Sequence, residues 1–271
     1  MVKLGKFDVE RDVRLRAFYV PEGLSVRLQG GGPKSGIERI LQAWSQVRIH
    51  APSLMPRIVA DGHLRTARYL LEEAIFGRHP VGGRALQRLA YDVAAGLHRV
   101  HQGVGVSELR LSSILSAQFE ARWRAVVQVE HIDPATDEAV RALVRRDGLL
   151  DVSLGHGDLV GTNILELHDR VVLIDWEYAG SLPVAFDLAK MHLRCAEPDH
   201  AMAAVQAGLG GSVGTRRGHY SFPEQLALAH ALYISRSGSA RTRAAAAGRT
   251  AQLEQNVAVR VSAIQRLLHL S

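Results

Sequence analysis

The sequence predicts an α+β chain in two parts: a small β-rich segment, residues 1–77, and a larger helical segment, residues 78–271, with one β-hairpin inserted. Three observations predict it. Before Gly77, short apolar runs are punctuated by Gly and Pro, as strands and turns are. Beyond Arg84, apolar residues recur at i, i+3 and i+4 over long stretches, the stripe of an amphipathic helix. Between residues 152 and 180 that period breaks, and two apolar runs flank "HDR".

Each element has a local reason. "DVRLRAFYV" and "LSVRLQ" flank the turn-forming "PEG", which predicts a hairpin. "GGGPKSG" interrupts, and "IERILQAWSQV" resumes with apolar residues at helical spacing. "MPRIVAD" and "RYLLEEAIF" read as two further strands, and "HPVGG" as a connection. "ALQRLAYDVAAGLHRVHQ", "ILSAQFEARWRAVVQVEHI" and "DEAVRALVRRDGLL" read as helices. "NILEL" and "RVVLIDW" form the inserted hairpin, and helices run from there to the end. Trp44 and Trp123 lie on helical stripes and read as core.

The bulk properties narrow the function classes. A chain of 271 residues, 47% apolar and 22% charged, buries a sizeable core. No apolar run approaches the ~18 residues that cross a bilayer, and the N-terminus lacks the apolar centre of a signal peptide. Cys195 is the only cysteine, so no disulfide forms within the chain. These features predict a cytoplasmic protein without membrane contact. The net charge of +6 is confined to residues 212–271, where eight arginines face two acids. With no zinc-finger spacing or aromatic RNA-binding signature, this reads as a solvated helix face, and nucleic acid is not an expected partner. The histidines show no metal-ligand spacing; His98 and His101, one turn apart, read as packing. Nothing in the sequence sets the oligomeric state.

The chemistry concentrates in "LGHGDLVGTNILEL". His156, Asp158 and Asn163 form H-x-D-x-x-x-x-N, and Asp175 ends the second strand of the hairpin, 17 positions beyond Asp158. A hairpin of that length returns Asp175 to the loop holding Asp158 and Asn163. Two carboxylates and an amide suit phosphoryl transfer. Mg²⁺ takes oxygen donors and usually only one or two carboxylates, which fits Asn163 and Asp175. Asp158 is then left to accept the proton of an attacking hydroxyl. His156, grouped with Asp158 in the catalytic loop, braces it. Lys34-Ser35 after glycines suggests a phosphate loop, but Pro33 stands where that loop needs Gly.

"HGDLVGTNIL" and "LIDWEYAG" resemble the catalytic and metal motifs of the aminoglycoside phosphotransferase/choline kinase family. The resemblance implies a bilobal, protein-kinase-like fold, with a nucleotide-binding lobe at residues 1–77 and a helical lobe at 78–271 carrying the catalytic loop and acceptor site. It implies ATP as phosphoryl donor, Mg²⁺ as cofactor and a hydroxylated small molecule as acceptor. Within "YLLEEAIFG", which is similar to the family's hinge, Glu73, Ala74 and Ile75 would offer backbone groups to adenine. In "PVAFDLAK", Asp187 would support the catalytic loop. Arg27 occupies the position that resembles the family's strand Lys, with Glu38 as its helix partner. Only Gly5 precedes the first strand, so the family's glycine loop is short or missing. That departure and Arg27 leave a second reading, a catalytically silent nucleotide-binding protein. Few aromatics argue against a choline cage, and the basic C-terminal segment argues against a polycationic antibiotic. The acceptor stays open.

Overall fold

A computed structural model describes residues 14–30, 36–64 and 67–269. Gly5, Lys34 and the centre of "GGGPKSG" lie outside them. In chain order the elements are β1 (Arg14–Tyr19), β2 (Leu24–Gly30), α1 (Gly36–His50), β3 (Ile58–Leu64), β4 (Ala67–Glu73), α2 (Gly83–Val104), β5 (Ser107–Arg110), α3 (Phe119–Val129), α4 (Pro134–Arg146), β6 (Leu149–Gly155), β7 (Ile164–Glu166), β8 (Val171–Leu173), β9 (Gly180–Pro183), α5 (Val184–His192), α6 (Pro198–Gly208), α7 (Phe222–Ser235), α8 (Ser237–Ala246) and α9 (Thr250–Leu267). The chain forms two compact units: Met1–Gly105 with Ser153–Leu182 and Arg194–Gly210, and Val106–Val152 with Pro183–Leu193 and Gly211–Ser271.

The first unit is built on an antiparallel sheet in the order β1-β2-β4-β3. Gly23, at φ 63°, turns β1 into β2 in a conformation that costs glycine little. Opposed residues share a face of such a sheet. Arg16, Arg27 and Leu70 therefore form one row, and Phe18, Ser25 and Glu72 the next row on the same face. α1 buries Ile37, Ile40, Ala43 and Val47 at helical spacing. α2 buries Leu86, Leu89, Ala90, Val93, Leu97 and Val100. It packs on α6 so closely that a Cβ on Gly208 would lie 2.7 Å from the Tyr91 carbonyl oxygen. The hairpin pairs Ile164 with Leu173 and Glu166 with Val171. Its outer edge is tied to the connecting segment by paired Arg78 and Glu166 peptides, 2.8 and 2.9 Å apart.

The second unit is helical, centred on α7. Phe222, Leu226, Leu228 and Ile234 are all buried on that helix, so it meets neighbours on every side. Ser221 and Glu224 close its N-terminus as a capping box. β5 pairs antiparallel with the first half of β6, Ser107 opposite Val152.

Helix and strand types follow the sequence reading in most places, and the α+β class holds. Three strands were not anticipated. The helix expected over "DEAVRALVRRDGLL" ends at Arg146, because Asp147 turns left-handed (φ 43°). Leu149 then starts β6, "LLDVSLG", whose buried strand lacks the alternation that marks half-exposed ones. β5 and β9 are four residues each, too short to carry a period. α3 covers only Phe119–Val129 of the longer stretch expected to be helical. Trp123 is core, with its indole N–H donating to Asp137 at 2.8 Å. Trp44 is only half-buried, with the Arg48 guanidinium 4.7 Å above its ring.

Candidate active site

β6 delivers the chain to His156, and the loop that follows is shaped by its own peptide groups. Gly157 sits at φ 81°, and a Cβ there would lie 2.1 Å from the carbonyl oxygen of Tyr178. Only glycine fits, which explains why a small residue stands between His156 and Asp158. The His156 ring is fully buried. Its Nε2 lies 2.9 Å from the Ile174 carbonyl, and its Nδ1 accepts the Asp158 N–H at 3.2 Å. Those partners assign the proton to Nε2. His156 thus joins the residue before Asp175 to Asp158 itself.

Asn163 closes the other end. Its Nδ2 donates to the Asp158 carbonyl at 2.8 Å and to the Asp158 carboxylate at 3.2 Å. Its Oδ1 is left as an acceptor. Its own carbonyl accepts the Ile174 N–H at 2.9 Å. Both peptide groups of Ile174 are therefore bonded to the loop, which sets Asp175 beside it. Asp175 adopts the left-handed conformation, φ 70° and ψ 52°, which Asp tolerates better than most side chains. The structure brings Asp158, Asn163 and Asp175 into one neighbourhood. Among the described residues, no cluster of three or more His, Cys, Asp or Glu could hold a metal. One carboxylate plus one amide oxygen is nonetheless a fitting donor set for Mg²⁺, whose shell is completed by phosphates and water.

Arg27 reaches Asp175 from β2, Nη1 to Oδ1 at 2.5 Å, and its Nε donates to Glu72 at 2.9 Å. Glu72 also accepts from Arg16 and from the Ser25 hydroxyl, each at 3.2 Å. Burial raises the Asp175 carboxyl, but the Arg27 charge and hydrogen bond outweigh it and hold the group below the usual carboxylate range. Arg27 itself is depressed by burial and raised further by Glu72 and Asp175, so it stays charged.

The partner expected for Arg27 is therefore corrected. Glu38 pairs with Arg68 on β4, and Glu72 takes the role assigned to it. The reason lies in the sheet. Glu72 stands on the same face as Arg27, one row along, whereas the Glu38 side chain is 48% exposed near the start of α1. Glu72 and Arg16 are the residues missed. Their signal was a Glu inside an otherwise apolar strand, "YLLEEAIF", next to a second Glu that obscured it.

At the expected hinge, the N–H groups of Glu73 and Ala74 are taken by the carbonyls of Arg57 (2.9 Å) and Gly23 (2.8 Å). Ile75 is the member of the three whose N–H is not used by the sheet. A cavity of about 500 Å³ lies against the loop, lined by Val160 and Thr162 together with Pro80, Leu86 and Arg194. Asp187 is buried on α5 of the second unit. His101 is core, with burial pushing it down to about 4, and burial pushes the Cys195 thiol up to about 11, so neither reads as reactive.

A short β sheet carrying a paired cation and acid, followed by an H-x-D loop and a metal-fitting hairpin, defines a kinase-like phosphotransferase fold. The model of the phosphotransferase enzyme family, APH, matches residues 16–220, and the chain belongs to that family. No curated protein matches it in sequence. Solved structures share its fold at low identity. A choline/ethanolamine kinase family protein from Mesorhizobium loti is 15% identical, covers 97% of this chain and 91% of its own, and has a TM-score of 0.54. Spectinomycin phosphotransferase, in complex with ADP and spectinomycin, is 13% identical over 100% and 93% of the chains, with a TM-score of 0.57. An amicoumacin kinase, in complex with AMP-PNP, Ca²⁺ and Ami, is 12% identical over 93% and 86%, with a TM-score of 0.55. No described helix is long and apolar enough to cross a membrane.

Proposed function

We propose that the chain is an ATP-dependent kinase that moves the γ-phosphoryl group to a hydroxyl of a small molecule. The observation that carries this is the direct contact of Asn163 with the Asp158 carboxylate, with Asp175 anchored to the same loop through Ile174. Asp158 accepts the proton of the acceptor hydroxyl as its oxygen bonds to Pγ and the Pγ–O bond to the leaving ADP breaks. Asn163 Oδ1 and Asp175 would hold Mg²⁺, which when bound neutralises the phosphate oxygens. Arg27 supplies a fixed cation for the phosphates, and Ile75, with Glu73 and Ala74, frames the adenine. Residues 1–77 form the nucleotide lobe and 78–271 the catalytic and acceptor lobe, in which Asp187 supports the loop. The acceptor is of the aminoglycoside, choline- or thiamine-like, or other metabolite class, and the protein acts in the cytoplasm.

A second reading, nucleotide binding without turnover, is favoured by one observation: Arg27 already occupies an oxygen of Asp175, the expected metal ligand. ADP release over a panel of hydroxylated metabolites and antibiotics separates the two. Turnover with an acceptor, lost in Asp158→Asn, supports the kinase. Nucleotide binding without turnover, unchanged in Asp158→Asn, supports the silent protein.

A further inference from the structure

The second unit carries a cavity to which no role has yet been given. It has a volume of about 330 Å³ and opens among α3, α7, α8 and α9. Four arginines line it: Arg122 from α3, Arg236 at the end of α7, Arg243 from α8 and Arg260 from α9. Tyr233 and Asn256 add polar groups, and Leu253 and Val257 add an apolar side. Among the described residues, no carboxylate lines it. Glu130 and Glu254 both pair with Arg241, which stands outside the lining, while the buried Asp187 of α5 acts on Tyr233.

One of the four cations is built into position. The Arg260 guanidinium lies 4.5 Å above the Tyr233 ring, and its Nη1 is 3.0 Å from Nδ1 of His230, a fully buried ring. An arginine can only donate, so His230 Nδ1 accepts. His230 Nε2 then carries the proton and faces His192 Nδ1 at 3.2 Å. This chain of buried rings fixes the direction of Arg260, so little side-chain entropy remains to be lost on binding. A solvated helix face needs no such support.

We propose that this cavity binds a small organic oxyanion, a phosphate monoester or a carboxylate. Guanidinium forks match both groups through paired hydrogen bonds. The volume suits a metabolite, and the apolar side suits a carbon body over a bare inorganic ion. Its one aromatic face is already covered by Arg260, which leaves no platform for the base stacking an extended single strand uses. The proposal does not depend on the kinase reading, because it concerns binding alone.

Isothermal titration of the full chain without nucleotide tests it. The probes are glucose 6-phosphate, citrate, inorganic phosphate, kanamycin and a single-stranded RNA oligomer. Arg236→Glu and Arg243→Glu change exposed side chains and leave the fold intact; circular dichroism checks that. Binding of glucose 6-phosphate, citrate or both, weakened tenfold or more by each variant, supports the proposal. Which of the two binds distinguishes the phosphate from the carboxylate source. Binding of neither, binding unchanged in both variants, or capture of RNA or kanamycin in place of the small anions overturns it.

Discussion

Glu72→Gln isolates the charge at the hub of the first unit. The Glu72 side chain is 4% exposed, and one oxygen takes Arg27 at 2.9 Å and Arg16 at 3.2 Å. Ser25 adds a third donor to that oxygen at 3.2 Å. Removing one partner of a buried ion pair costs about 3–5 kcal/mol. Here the cost is smaller, because Arg27 keeps Asp175, Arg16 is 33% exposed and the Gln carbonyl still accepts a bond. The expected loss is about 2–3 kcal/mol, a fall in Tm of about 4–12 °C for a chain of this size. Thermal melting monitored by circular dichroism reads it. A double-mutant cycle with Arg27→Met adds a coupling of at least about 1 kcal/mol. Additive losses, or a melting point within about 1 °C of the parent, would refute Glu72 as the anchor of Arg27. The KM for ATP should rise in the same variant, with kcat changed less.

Gly157→Ala should abolish activity and lower stability by about 2 kcal/mol or more, since its Cβ would strike the Tyr178 carbonyl at 2.1 Å; melting and ADP release read both. Asp158→Asn should lower kcat by about 10²-fold or more with nucleotide affinity retained, as removal of a general base does; an unchanged kcat would remove Asp158 from the chemistry. His101 is held down to about 4 when folded, against about 6.5 when unfolded. The unfolded chain therefore binds the extra proton first, and stability, full above about pH 6.5, falls as pH drops toward 4. That slope amounts to about 3 kcal/mol across the window, and His101→Gln should flatten it in urea titrations at successive pH values.

What the sequence disclosed was local. Asp158 and Asn163 lie five positions apart in one loop, and Asp175 is returned to it by a hairpin whose turn residues are adjacent in the chain. Short-range geometry of this kind needs only the turn and the period, so the loop, the hairpin and the helices α1 and α2 were legible. The need for glycine at 157 was not, because the Tyr178 carbonyl that forbids a side chain there is placed by the fold. The strand β6 stayed hidden because a strand buried on both faces has no alternation to read.

The partner of Arg27 could not be read at all. Glu38 is nearer to Arg27 along the chain than Glu72 or Glu73, yet the choice rests on sheet register, which sends Glu72 to the face of Arg27. The same holds for the arginines of the C-terminal segment. Composition placed them in one stretch, but only the packing of α7, α8 and α9 decided which of them surround a cavity and which pair with Glu130 and Glu254. The sequence by itself determined the fold class and the loop-and-hairpin of the candidate site, because both follow from periodicity and turns. Which charges meet was decided by tertiary structure, because a side chain's partner depends on the face it occupies, and that face is set by residues far away in the chain.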